Sequence, residues 1–194
     1  MSTSPQFTSA ESVPDSNGLI HTLSAAELQA LGEQCLDAKT RAYCPYSLFR
    51  VGASLLLTPR LSPPPNPSAP TYPATHILTG ANIENAAYPV GTCAERVALG
   101  TAVHLGYRLG AFKAVGVATD IDEFCSPCGM CRQFLREFLG LDVPVFMFNK
   151  EGRFIVRTMG ELLPLSFGPD VLPPREVLRV AKEEGEGAGG AVEG

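Results

Sequence analysis

Thr92-Cys93-Ala94-Glu95-Arg96 and Ser126-Pro127-Cys128-Gly129-Met130-Cys131-Arg132-Gln133 are the two stretches around which the chain is organised. Each reads as the first turn of a helix. Thr92 is placed to cap the first and Ser126 the second, with Pro127 where a missing N–H costs nothing. Cys128 and Cys131, three apart, share one helical face near the positive end of the helix dipole, which favours thiolates. Cys93, at the other helix start, supplies a third sulfur. Three sulfurs leave the fourth position of a tetrahedral zinc ion open, as in a reactive site rather than a structural one. Glu95, two residues past Cys93, is close enough to handle protons there. It also has a plainer reading, because Thr92-Cys93-Ala94-Glu95 is a capping-box pattern in which the glutamate reaches back to the Thr92 amide.

Outward from these stretches the chain alternates helix and strand. Ser24-Ala25-Ala26-Glu27 is a capping box, and Leu28, Leu31, Cys35, Leu36 and Ala42 follow at helical spacing, with the helix ending before Pro45. Phe49–Thr58 and Thr75–Ile83 read as strands, joined by a proline-rich exposed loop at 59–73. The spacing then predicts a helix over Cys93–Leu105, a buried strand over Lys113–Thr119, and a helix over Cys128–Leu139 with Phe134, Leu135 and Phe138 on its buried side. Val143–Asn149 and Arg153–Thr158 form a hairpin through Glu151-Gly152. A last helical turn over Gly160–Leu163 and a short helix around Arg175–Glu183 follow. The alternation implies an α/β sandwich around one mixed five-stranded sheet. Residues 1–22 read as a disordered tail, 23–172 as the folded domain with its insertion at 59–73, and 173–194 as a mostly flexible extension.

Charge and composition narrow the partners. Fifteen basic residues against twenty acidic ones leave a net charge of −5, and no run of Lys or Arg interrupts this. A polynucleotide partner therefore lacks its usual electrostatic footprint. Met1–Gly18 is Ser/Pro-rich without an apolar core or an arginine, so neither a secretory signal nor a transit peptide is read there. No stretch is long and apolar enough to span a bilayer. The expectation is a cytoplasmic protein that is not secreted, with diffusion into a nucleus left open. Six cysteines in such a chain point to metal or redox chemistry before disulfides. Cys35 falls on the apolar face of the first helix. Cys125, three residues before Cys128, is the decoy: it could close a four-cysteine structural site, although it precedes the Ser126 cap and lies off the Cys128/Cys131 face.

With a third cysteine and a non-ligand glutamate at these spacings, the sequence resembles the small homotetrameric cytidine deaminases. Pro45-Tyr46-Ser47-Leu48-Phe49-Arg50-Val51-Gly52-Ala53, Gly80-Ala81-Asn82-Ile83-Glu84-Asn85, Tyr88-Pro89-Val90-Gly91 and Leu162-Leu163-Pro164-Leu165-Ser166-Phe167-Gly168-Pro169 are similar to that family, in its order, over roughly Leu23–Leu172. The resemblance implies a three-layer α/β/α sandwich with strand order 2-1-3-4-5. It also implies one zinc per subunit on Cys93, Cys128 and Cys131, with Glu95 as the catalytic base and then acid. The implied activity is hydrolytic deamination of cytidine and 2′-deoxycytidine in pyrimidine salvage, by a hydrolase acting on a cyclic amidine C–N bond. Arg96 would offset the thiolate charge, Asn82 and Glu84 would hold the ribose, and Phe49 would pack on the base. Ala86, Tyr88 and Phe167 would reach a neighbour's pocket in a homotetramer.

Three competing readings remain at this point. A deaminase of an aminoacyl-cytosine antibiotic shares the zinc motif, but Asn82, Glu84 and Arg96 together tell against it. A polynucleotide-editing deaminase conflicts with the acidic charge. A zinc-stapled interaction protein would use Cys93, Cys125, Cys128 and Cys131, leaving Glu95 as a cap.

Overall fold

The computed structural model describes residues 7–9, 20–58 and 76–173. The proline-rich loop at 59–73, the short helix expected at 175–183 and most of both expected tails lie outside those residues. Helix α1 spans Ala25–Lys39 behind the expected capping box: the Glu27 N–H donates to Ser24 Oγ, and the Ser24 N–H donates to Glu27 Oε2 at 2.9 Å. It buries Leu28, Leu31 and Cys35 and stops at Lys39, short of Ala42. Strands β2 (Val51–Leu57) and β3 (Ile77–Ala81) follow, then α2 (Ala94–His104), β4 (Phe112–Thr119), α3 (Gly129–Arg136), β5 (Pro144–Phe148), β6 (Arg153–Thr158) and the single turn α4 (Met159–Leu162).

Among the described residues the sheet has six strands, one more than expected. Its order is β1-β6-β5-β4-β2-β3, where β1 is the two-residue strand Thr8–Ser9 lying parallel to β6. The other five reproduce the expected order, with β4 and β5 parallel and their outer neighbours antiparallel. The extra strand corrects the expectation of a disordered tail for residues 7–9. Phe7 explains the difference, because its ring meets Phe148 edge-on at 5.2 Å and so brings apolar surface to the sheet.

The sheet separates two cores, which makes the three layers expected. Beneath α1 lie Leu31, Cys35, Phe146, Phe148 and Phe154. On the opposite face, beneath α2 and α3, lie Ala98, Leu99, Val115, Val117, Leu135 and Met147. α3 is shorter than predicted, and its last turn tightens so that the Phe138 N–H donates to Leu135 O at 3.0 Å. Leu135 is buried, but Phe134 is 38% exposed, which corrects its placement on the buried side. Arg136 takes buried space instead, with its guanidinium bonded to Ser166 Oγ and Asp170.

Gly80 sets how near α2 can come to the sheet. A Cβ there would lie 2.4 Å from Ala98 N and 2.6 Å from Ala94 O, so no larger residue lets the start of α2 sit against β3. That contact fixes the height of Cys93 and Glu95 above the strand ends.

Candidate metal and catalytic site

The cysteines themselves occupy the cap positions of their helices. Cys93 is the N-cap of α2 and Cys128 the N-cap of α3, both in extended conformation and neither with a side-chain cap bond. Thr92 and Ser126 are therefore not the caps. Thr92 instead pairs with the chain leaving β3, its N–H donating to Ile83 O at 2.8 Å and its carbonyl accepting from Ile83 N at 2.9 Å. The consequence is chemical: thiols stand where helix N-termini present unsatisfied N–H groups.

The sulfurs of Cys93, Cys128 and Cys131 all lie within 4.8 Å of one another, with Cys93 Sγ to Cys128 Sγ at 3.9 Å. Tetrahedral zinc with Zn–S bonds of about 2.3 Å asks for sulfurs about 3.8 Å apart. The donor set therefore fits zinc. Among the described residues Cys125 does not join this cluster. A hydrogen bond from Cys131 and the neighbouring Arg96 hold the Cys93 thiol down to about 5 against burial, while the same pairing with Cys93, together with burial, pushes Cys131 up. The Arg96 guanidinium lies beside Cys93 and Cys131 and also donates to Gly91 O at 3.3 Å.

Glu95 is 3% exposed, and Thr92 makes no capping box with it. Burial raises its carboxyl above the usual range, and charge on Cys93 adds to this. The plainer reading of Glu95 as a cap is gone. Its side chain lines a cavity of about 250 Å³ together with Phe49, Asn82, Glu84, Cys93 and Cys128. Four further wall residues, Ser47, Val51, Val117 and Thr119, were not singled out in the sequence. Period-two alternation on β4 was the signal for Val117 and Thr119, because it places both on one face.

Asn82 and Glu84 reach this cavity already engaged. The Asn82 amide bridges the start of β2, accepting from Val51 N at 2.8 Å and donating to Phe49 O at 2.9 Å. Glu84 accepts from Tyr46 N at 2.9 Å, Ser47 N at 3.2 Å and the Ser47 hydroxyl. The Ser47 bond is the chief reason its carboxyl sits below the usual range. Arg132 donates to Pro127 O, Leu162 O and Ser126 Oγ, bracing the loop that carries Cys128.

Ala86, Tyr88 and Phe167 do not line this cavity in their own chain. Tyr88 is 76% exposed, its ring 5.9 Å from that of Tyr46. Phe167 is 63% exposed, so its ring is not folded onto its own core.

Comparison with known proteins bears on the same residues. The family model described as the cytidine and deoxycytidylate deaminase zinc-binding region matches residues 72–147. The chain is similar to the cytidine deaminase of Sporosarcina psychrophila, 37% identical over 146 residues that cover 75% of this chain and 95% of that protein. It is similar also to the cytidine deaminase of Halalkalibacterium halodurans, 37% identical over 139 residues covering 72% and 92%. Among solved structures, the cytidine deaminase of Burkholderia pseudomallei matches with a TM-score of 0.61 at 36% identity, over 71% of this chain and 97% of that one.

Proposed function

Because the chain belongs to the cytidine deaminase family, we propose that Glu95 moves the protons of the reaction, Arg96 steadies the thiolates, and the strand ends hold the nucleoside. The reaction is hydrolytic: water adds at C4 of cytidine and ammonia leaves, giving uridine. Zinc, when bound by Cys93, Cys128 and Cys131, supplies the Lewis acidity that makes water a nucleophile near neutral pH. Glu95 takes a proton from the attacking water and passes it to ring N3; it then takes the proton of the hydroxyl added at C4 and delivers it to the amine, so that C4=O forms as the C4–N bond breaks and ammonia leaves. Its burial suits both tasks, since a carboxyl raised above its usual range holds a proton more readily. Arg96 offsets the charge of three thiolates and fixes their orientation.

At the other end of the cavity, the Glu84 oxygens retain acceptor capacity for the sugar 3′-hydroxyl, and the Asn82 amide retains one N–H. An anionic carboxylate beside the sugar disfavours a phosphorylated substrate. The substrates are cytidine and 2′-deoxycytidine, within pyrimidine salvage, and Phe49 packs against the base.

The working assembly is a cytoplasmic homotetramer in which Ala86, Tyr88 and Phe167 complete a neighbour's pocket. What supports this is the surface: Leu48 and Leu165 are 77% and 107% exposed, at φ of +56° and +53°. Large apolar side chains held outward in a strained backbone region need a partner. Closed two-fold symmetry is common for tetramers. Among the described residues no helix is long and apolar enough to cross a membrane.

One observation carries the catalytic reading, namely three converging thiols, two of them on a cavity that a buried, non-capping carboxylate also lines. Zinc content and ammonia release from cytidine, measured on one preparation, test it. A zinc-loaded chain that releases no ammonia from cytidine overturns it.

A further inference from the structure

Two buried side-chain nitrogen or oxygen atoms among the described residues lack a hydrogen-bond partner, Arg96 Nε and Thr119 Oγ1. Arg96 stands beside the cysteines. Thr119 is the last residue of β4, is 2% exposed, and forms part of the cavity wall shared with Glu95 and Cys93. Alternation along β4 puts Val115, Val117 and Thr119 in one row. Val115 and Val117 belong to the core beneath α2 and α3. The row thus ends in a threonine where that core opens into the cavity. A valine there would pack equally well, and a buried hydroxyl without a partner costs free energy that a valine does not.

The backbone of Thr119 is held firmly. Its backbone pairs with Val51, and its carbonyl accepts from Lys39 Nζ at 3.1 Å. The next residue, Asp120, is clamped by Lys39 at 2.9 Å and by Arg50 at 2.7 Å. Reading across the strand ends gives Asn82, then Val51, then Thr119, since the Asn82 amide accepts from Val51 N and Val51 is the partner of Thr119. Beyond Thr119 the chain runs on to Cys125 and Cys128, which line the same cavity. A nucleoside whose sugar lies at Asn82 and Glu84 therefore extends its base over Val51 towards Thr119.

We propose that Thr119 is a specificity-determining residue whose hydroxyl hydrogen-bonds the polar edge of the pyrimidine base. The proposal rests on the nucleoside-deaminase reading given above. A hydroxyl both donates and accepts, so it can serve an edge that carries groups of either kind.

Zinc-loaded Thr119→Val and Thr119→Ser enzymes test this through kcat/KM on cytidine and on 2′-deoxycytidine, with a thermal melt of each. Thr119→Val should lose about tenfold in kcat/KM on both substrates, with a melting temperature equal to or above the original. Thr119→Ser should retain most activity. Unchanged kcat/KM in Thr119→Val overturns the proposal. So does a loss on cytidine alone, which would put the hydroxyl on the sugar 2′ position. A lower melting temperature in Thr119→Val overturns it as well, by revealing an internal partner. An unmutated enzyme inactive on both nucleosides would sink the deaminase reading and this proposal with it, whereas an active one with an indifferent Thr119→Val sinks this proposal alone.

Discussion

Glu95 is buried beside two thiols, and its replacement by glutamine keeps the size while removing the proposed proton carrier. Turnover of Glu95→Gln should fall by about 10²–10⁴-fold or more, with zinc content unchanged by metal analysis; near-normal turnover in a zinc-loaded Glu95→Gln chain would discard the proposed proton path. Cys125 supplies the contrast. Cys125→Ser should keep both metal and activity, whereas Cys131→Ala should lose the metal, because Cys131 belongs to the sulfur cluster and Cys125 does not. Loss of zinc from Cys125→Ser would restore the four-cysteine site. At this scale the three clustered cysteines were legible because ligand spacing is a property of sequence. The standing of Thr119 was not, since it depends on pairing with Val51 and on an absent partner that only three dimensions disclose. Asn82 was legible as polar at a strand end, but its grip on Phe49 O and Val51 N was hidden in the pairing of distant segments.

Between elements, the ion cluster behind the site is the feature most open to test. Burial pushes the Asp120 carboxyl up, but hydrogen bonds from Arg50 and Lys39 outweigh it and hold the group below the usual carboxylate range. A carboxyl with a lowered folded-state pKa adds stability above its unfolded value, and that stability fades as pH falls through the folded value. Asp120→Asn should therefore cost about 2 kcal/mol at pH 7, mostly by stranding Lys39. The difference from the unmutated chain should close as pH drops below about 3.9. Urea melts across that range check both the size and the sign. A difference that stays constant with pH would assign the cost to packing. Helix and strand positions were largely readable from periodicity, yet the caps of α2 and α3 were displaced by one or two residues. Ser/Thr preference pointed to Thr92 and Ser126, but the bridge from Thr92 to Ile83 draws it into the sheet's margin and leaves the cap to Cys93. Strand β1 escaped notice because two residues carry no period.

For the molecule as a whole, the exposed rings make assembly testable. On the proposed roles, Glu95→Ala and Phe167→Ala should each be weak alone, the first lacking the proposed proton carrier and the second the proposed lid. If subunits are dissociated and co-assembled, some Phe167→Ala pockets receive an intact ring from a Glu95→Ala neighbour, and activity should rise above the sum of the two. No gain after demonstrated subunit exchange would place Phe167 within its own chain's economy or outside catalysis altogether. The sheet order of the five main strands agrees with the resemblance read from the motifs, but composition could not have supplied it. The thiol cluster has a last consequence, in the currency of linked equilibria. Cys93 and Cys128 stand 35 positions apart and meet through two helices resting on one sheet. An unfolded chain does not hold them together, so the ion binds the native state in preference. Free zinc at a thousand times its dissociation constant would add about 4 kcal/mol to native stability. The melting temperature of this protein is thereby tied to the free zinc around it, and the fold doubles as a gauge of its own metal supply.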